Sequence, residues 1–277
     1  MDLERSVTRH YTHGALERAI LDALAAMGKD PARLTPADLA PVDEFHIGGR
    51  QATIDLVERI AVRPGMHLLD VGCGLGGASR YLAAERGCRV TGIDLTEEFV
   101  AVAGALARHV GLADRVEYRQ ASALALPFPA AAFDGAIMLH VGMNIADKAG
   151  AFAEVRRVLK PGGVFAIYDV MRGPQPGELA FPVPWAADPA ASFVEEPAAY
   201  RRLLEEAGFA VEKERSRLEF GLAFFRDMRA RVAAAGGPPP LGLHLLMGET
   251  ASRKVANMID ILERGVAAPT EIIARAS

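Results

Sequence analysis

Between Met66 and Asp169, short apolar runs alternate with segments of helical spacing. His67–Val71 is a mostly apolar run with Asp70 near its end, and Gly72-Cys73-Gly74-Leu75-Gly76-Gly77 follows it. Ala78, Tyr81 and Leu82 then recur at helical spacing as far as a stop at Gly87. Arg89–Ile93 reads as the next strand, with Asp94 at its end. Thr96 is placed to cap a helix, Glu97 and Glu98 suit its first turn, and Phe99, Val102, Leu106 and Val110 supply its apolar stripe. Val116–Arg119, Phe133–Leu139 and Val164–Asp169 are three further strands. Between the last two, Phe152, Val155 and Leu159 form one helix face, which Lys160-Pro161-Gly162-Gly163 ends. Strands alternating with helices predict an α/β fold: a doubly wound sheet with parallel pairing, right-handed crossovers and helices on both faces. Such sheets bind ligands at the carboxyl ends of their strands, near the switch point.

The flanks have another texture. Residues 1–47 hold two short helical patterns with Pro31, Pro36 and Pro41, and Ile54, Val57 and Ala61 put a helix just ahead of the first strand. Six prolines between Met171 and Pro197 are too many for a regular element and predict an ordered loop or lid. Pro197 opens a helix with Tyr200, Leu203, Leu204 and Ala207, closed by Gly208; Phe209–Leu218 reads as a strand despite its charges. Phe220, Phe224, Met228 and Val232, spaced by four, predict a long helix broken at Gly236 to Pro240. A further helix covers about Thr250–Arg264, and Thr270–Ala274 is a final strand. The expected division is an N-terminal helical arm over 1–47 and one domain over 48–277, with a lid at 171–197 and a helical cap excursion at 219–266.

Composition narrows the classes. The chain has 277 residues, 51% hydrophobic and 24% charged, which excludes a disordered chain and allows a full core. Its 31 basic and 35 acidic residues give a net charge of −4, a poor basis for binding nucleic acid. Cys73 and Cys88 make no disulfide framework, and neither has a Cys-x-x-Cys partner. No signal peptide is visible at the start, and the longest uncharged run, Val232 to Gly248, is broken by Gly-Gly-Pro-Pro-Pro and is unfit to span a bilayer. The expectation is a cytoplasmic protein with no membrane partner. His10 and His13 are three apart without a third partner nearby, so no metal is expected.

The glycine loop fits two templates. As Gly-x-Gly-x-x-Gly it suits a dinucleotide pyrophosphate, the reading of a nicotinamide oxidoreductase. As Asp-x-Gly-x-Gly-x-Gly, counting Asp70, it suits a nucleoside, and Asp94 can take both ribose hydroxyls in either case. The acidic Asp70 two before the first glycine, Phe133-Asp134 leading into the fourth strand and Arg157-Val158-Leu159-Lys160-Pro161-Gly162-Gly163 leading into the fifth decide between them. Together these resemble class I S-adenosylmethionine-dependent methyltransferases, closely over about residues 45–218. The resemblance implies a Rossmann-like, mostly parallel seven-stranded sheet with a reversed seventh strand, S-adenosyl-L-methionine as cofactor and a methyltransferase activity.

Glu44-Phe45-His46-Ile47-Gly48-Gly49-Arg50 further resembles the lead-in segment of the small-molecule group: sarcosine/dimethylglycine, phosphoethanolamine and tocopherol methyltransferases. That implies Gly48 and Gly49 beside the methionine end of the cofactor and an aromatic residue of the arm, Tyr11, over the sulfonium. With Gly72, Gly74, Asp70, Asp94, Leu95 and Leu139 these form the expected cofactor site. The family commonly has Gly-Asp after the third strand to receive the adenine amino group, whereas this chain has Ala121-Ser122-Ala123. Ser122 can accept that hydrogen bond and the amide of Ala123 can face the ring, but a charge is absent there.

Transfer of a sulfonium methyl is in line and needs mainly alignment. An amine acceptor must arrive deprotonated, while a hydroxyl or carbon acid also needs a base. His140, at the carboxyl end of the fourth strand, is the expected catalytic side chain or acceptor contact; the alternative is a histidine that binds loop backbone or lines the cofactor. Tyr168 and Asp169 are second candidates. Met171, Phe181, Trp185, Phe193, Phe224, Phe225, Met228, His244 and Met247 are largely apolar and predict a small acceptor with apolar surface. The resemblance favours nitrogen as the acceptor atom, with O- or C-methylation of a secondary metabolite or quinone-type molecule as the alternative, and a non-catalytic cofactor-binding module as a distant one. The apolar excursion suits either a cover for the site or a homodimer contact.

Overall fold

A computed structural model describes residues 3–12 and 15–277. The arm comprises helices α1 (Leu3–Tyr11), α2 (Leu16–Ala26) and α3 (Pro36–Asp43), followed by α4 (Gly49–Glu58). β1 (His67–Val71), α5 (Gly77–Arg86), β2 (Arg89–Asp94), α6 (Glu97–His109), β3 (Val116–Gln120), β4 (Phe133–Leu139), α7 (Lys148–Val158) and β5 (Leu159–Arg172) alternate as expected. Then come α8 (Pro197–Glu206), β6 (Phe209–Ser216), α9 (Leu218–Ala234), the short α10 (His244–Met247), α11 (Ala251–Glu263) and β7 (Ala267–Ala276).

The seven strands form one sheet in the order β3-β2-β1-β4-β5-β7-β6. The first five pair in parallel, and β7 lies antiparallel between β5 and β6. The strand order reverses between β1 and β4, which opens a crevice at their carboxyl ends. β1 and β4 are buried on both faces, which is why they read as continuous apolar runs. One face of the sheet packs on Leu56, Tyr81 and Leu82 of α4 and α5, the other on Phe152, Val155, Tyr200 and Leu204 of α7 and α8. Each of these large apolar side chains contributes about 1.5–3 kcal/mol by leaving water. β6, at the edge, carries charges that pair with β7: Glu212 meets Arg275 at 2.5 Å, and Arg215 meets the buried Glu271 at 2.7 Å.

Three expectations are corrected. The arm has three α-helices among the described residues where two were expected. Pro36 opens the third at a position where a missing N–H costs nothing, and the carboxylate of Asp38 accepts the Thr35 N–H at 2.9 Å. β5 begins at Leu159 because the chain leaves α7 already extended and Lys160 anchors to Asp134 at 2.6 Å, so the Pro-Gly-Gly stretch ends the helix but lies within the strand. Thr96 precedes α6, yet its hydroxyl makes no capping bond, and its N–H is bound by Asp94 instead. Residues 173–196 hold no α-helix or long strand, only a 3-10 turn at Pro189–Ala191 and a bridge between Val183 and Ala186.

Two further apolar clusters lie outside the sheet layers. Trp185, Phe225, Met258 and Leu262 join the lid to α9 and α11, and Leu16, Ile20, Leu24 and Leu39 of the arm pack on Phe99, Val102 and Leu106 of α6 and on Leu246 of α10. Arm and cap therefore meet over the carboxyl ends of the strands.

Candidate active site

A cavity of about 1160 Å³ lies at those strand ends. That exceeds the roughly 300–1,000 Å³ of a site for one drug-sized ligand and leaves room for a cofactor and an acceptor together. Asp70, Gly72, Gly74, Asp94, Leu95, Ala121, Ser122, Ala123, Leu139 and His140 line it, as do Tyr11 and Gly49. The fold thus gathers all but one of the expected site residues.

The glycine loop is built by backbone constraints. Gly72 has φ +71°, and a Cβ there would lie 2.4 Å from Cγ2 of Val141. A Cβ at Gly74 would meet nothing within 4 Å, so its backbone borders open cavity space. The Gly74 N–H donates to Oδ2 of Asp94 at 3.0 Å, and the Thr96 N–H donates to Oδ1 at 2.9 Å. Burial pushes the Asp94 carboxyl above its ordinary range, and these N–H donors pull it back. Asp70 is buried and accepts the Ser79 hydroxyl at 2.6 Å; burial raises it to about 7. An open glycine loop ending at a carboxylate that is oriented by backbone donors fits a nucleoside with a ribose diol.

Gly48 is the exception. It does not line the cavity; a Cβ there would strike the Phe220 ring at 2.2 Å, so this glycine permits close packing of α9 on the lead-in segment. Tyr11 lines the cavity between Phe45 and Phe99, with ring centroids 6.3 and 5.6 Å away. His13 lies outside the described residues.

His140 lines the cavity with both ring nitrogens engaged. Nε2 accepts the Ile47 N–H at 3.3 Å, which fixes the proton on Nδ1, facing the Tyr168 carbonyl at 3.2 Å. Burial lowers its pKa to about 3, so it is neutral, and its one basic lone pair, on Nε2, is taken by the Ile47 N–H. Its φ of +54° is unusual for a residue with a Cβ; the His140 N–H holds that backbone by donating to Tyr168 O at 2.7 Å. Neither of the second candidates borders the cavity. Tyr168 donates its hydroxyl to the Ile47 carbonyl at 3.0 Å, and Asp169, raised to about 6 by burial, accepts the Tyr200 hydroxyl at 2.6 Å.

Sequence reasoning assigned no function to Glu44 and His46, although both stand in the quoted segment. The His46 ring donates from Nε2 to Oε2 of buried Glu44 at 2.9 Å, and Thr53 donates to the same oxygen at 2.7 Å. Nδ1 of His46 has no partner among the described residues, and both residues line the cavity. The Glu-x-His spacing was the available signal. At the far end, Trp185, Phe224, Phe225, Met228, Met258 and Ile259 make an apolar wall; Met171, Phe181 and Phe193 pack elsewhere.

Residues 69–167 match the family model described as the methyltransferase domain. A sterol 24-C-methyltransferase of Gibberella zeae is 39% identical over 114 residues, which are 41% of this chain and 30% of that protein. O-methyltransferase resE of Aspergillus sclerotiorum is 32% identical over 178 residues, 63% of this chain and 66% of that protein. Phosphoethanolamine N-methyltransferase 2 of Haemonchus contortus, solved with S-adenosyl-L-methionine, has the same fold at 18% identity, with a TM-score of 0.75 over 100% of this chain and 60% of that one. The chain spans about a third of the length of the first curated relatives it matches. Residues 69–167 form a domain of the class I S-adenosylmethionine-dependent methyltransferase type, and the sheet order around them is that of the methyltransferase fold. Within that class its relatives are methyltransferases of small molecules, and those three differ in acceptor atom.

Proposed function

We propose that this chain transfers a methyl group from S-adenosylmethionine to nitrogen of a small-molecule acceptor with an apolar body, by in-line displacement. The observation that carries this reading is the single cavity joining the glycine loop and Asp94 to the apolar wall of the cap. Bound at the glycine loop, S-adenosylmethionine supplies an electrophilic methyl group. The protein's part is to bind and align. Asp94 accepts the ribose hydroxyls, Gly74 lets backbone approach the nucleoside, and Leu95 and Leu139 border the same end. Tyr11 and the arm cover that end and exclude water, while Trp185, Phe224 and Met228 orient the acceptor by contact. Nitrogen is favoured by the engagement of both His140 nitrogens, because an amine that arrives deprotonated needs no base.

A second reading, transfer to oxygen or carbon, rests on His46. A buried carboxylate on Nε2 and a free Nδ1 are the arrangement of an oriented base. Labelled cofactor incubated with amines, phenols and carbon acids separates the two. Amine methylation that persists in His46→Gln supports the first reading, and phenol or carbon methylation abolished by that change supports the second. Thermal stabilisation by NADH but not by S-adenosylhomocysteine overturns both.

A further inference from the structure

The chain has no acidic residue directly after β3, where the adenine end of the cofactor is expected. The structure brings one from far away. Glu4, in the first turn of α1, accepts a hydrogen bond from the Ser122 hydroxyl, 118 positions along the chain. The Ser122 oxygen accepts the Leu124 N–H at 3.0 Å, which leaves its proton to hold the Glu4 carboxylate. Glu4 and Ser122 both line the cavity, next to Leu3, Ala123 and Leu124. They sit one strand beyond the ribose acid: Asp94 pairs with Gln120 across β2 and β3, and the Ala121 N–H donates to the Asp94 carbonyl at 3.0 Å. A nucleoside with its ribose on Asp94 and its methionine end toward β1 and β4 directs its base toward Ser122 and Glu4.

We infer that Glu4 accepts the exocyclic amino group of the cofactor's adenine, so that the N-terminal arm is part of the cofactor site. The inference rests on the S-adenosylmethionine reading. Ser122 occupies one lone pair of the carboxylate and the rest remain for the amino group, a charge-assisted hydrogen bond that a serine alone does not supply. A base bearing a 6-oxo group presents oxygen to oxygen and is rejected. Because α1 carries both Glu4 and Tyr11, cofactor binding and closure of the arm become linked: whatever binds the closed form shifts the arm toward it.

The test is calorimetric binding of two ligands to the full chain, S-adenosylhomocysteine and S-inosylhomocysteine, which differ in the 6-amino and 6-oxo groups. The natural protein is expected to favour the adenine form by about tenfold or more. Glu4→Ala is expected to lose that preference, weakening S-adenosylhomocysteine by about tenfold and leaving the inosine form nearly unchanged. Glu4→Gln, of the same shape and able to accept through its amide oxygen, keeps part of the preference and guards against a folding defect in the alanine variant. Equal weakening of both ligands would make Glu4 a mere fastener of the arm and overturn the inference, as would an unchanged preference. Failure of S-adenosylhomocysteine to bind the natural protein would instead remove the cofactor reading beneath it.

Discussion

The two ends of the cavity are built by different means. At the end proposed for the cofactor, Asp70, Gly72, Gly74, Asp94 and Ala123 all fall within residues 70–123, at the ends of adjacent strands, and much of the wall is backbone. At the end proposed for the acceptor, Trp185, Phe224, Met228, Met258 and Ile259 come from a proline-rich loop and two helices, and the wall is side chains. Backbone held by glycine and strand geometry presents one shape whatever surrounds it. A side-chain wall depends on how the lid, α9 and α11 pack together, and each residue in it can change without breaking the fold. The proposed function thus assigns cofactor binding to the sheet and acceptor choice to the cap.

The largest effect that tests this contrast is at Gly72. Gly72→Val puts a branched side chain at φ +71° and against Val141, a combination expected to cost about 3 kcal/mol of stability and about 100-fold in affinity for S-adenosylhomocysteine. Denaturant unfolding and calorimetry measure the two, and a variant that binds normally would show that the loop is not the cofactor cradle. At the other end, Met228→Trp narrows the apolar pocket. It is expected to raise the acceptor KM about tenfold while S-adenosylhomocysteine affinity stays within about twofold. Parallel changes in both constants would contradict the division of labour.

The smallest effect concerns His140, which lines the same cavity. Burial favours neutral His140, so its folded pKa, about 3, lies below its ordinary 6.5 and the folded state binds fewer protons. That contribution is present above about pH 6.5 and lost as pH falls toward 3, at up to about 1.4 kcal/mol per pH unit. Asparagine tolerates the left-handed backbone, so His140→Asn isolates the effect. The stability advantage of the natural protein over this variant should shrink by about 1 kcal/mol between pH 7 and pH 5.5. A constant difference would mean that the imidazole is solvated and free to act as a base.

The same contrast explains what was readable beforehand. β1 and β4 have the bounds that their apolar runs predict, because strands buried on both faces write their length directly in hydrophobic residues. β7 runs longer than Thr270–Ala274 because Ala267, Ala268 and Pro269 become strand only by pairing with Arg172, Met171 and Val170. The third arm helix was hidden by prolines that read as breakers. His140 looked catalytic from its place at a strand end, but its bond to Ile47 spans 93 positions of chain. Gly48, expected beside the cofactor, packs against Phe220 and does not line the cavity.

Local order by itself determined the alternating sheet, the glycine loop and the carboxylate at the end of β2, since strand burial, tight turns and strand ends are properties of neighbouring residues. Tertiary structure alone decided that Glu4 meets Ser122 and that both nitrogens of His140 are taken. Those contacts join distant segments through side-chain hydrogen bonds. No periodicity encodes a distant partner, and such bonds exist only once the arm and the cap have closed over the sheet.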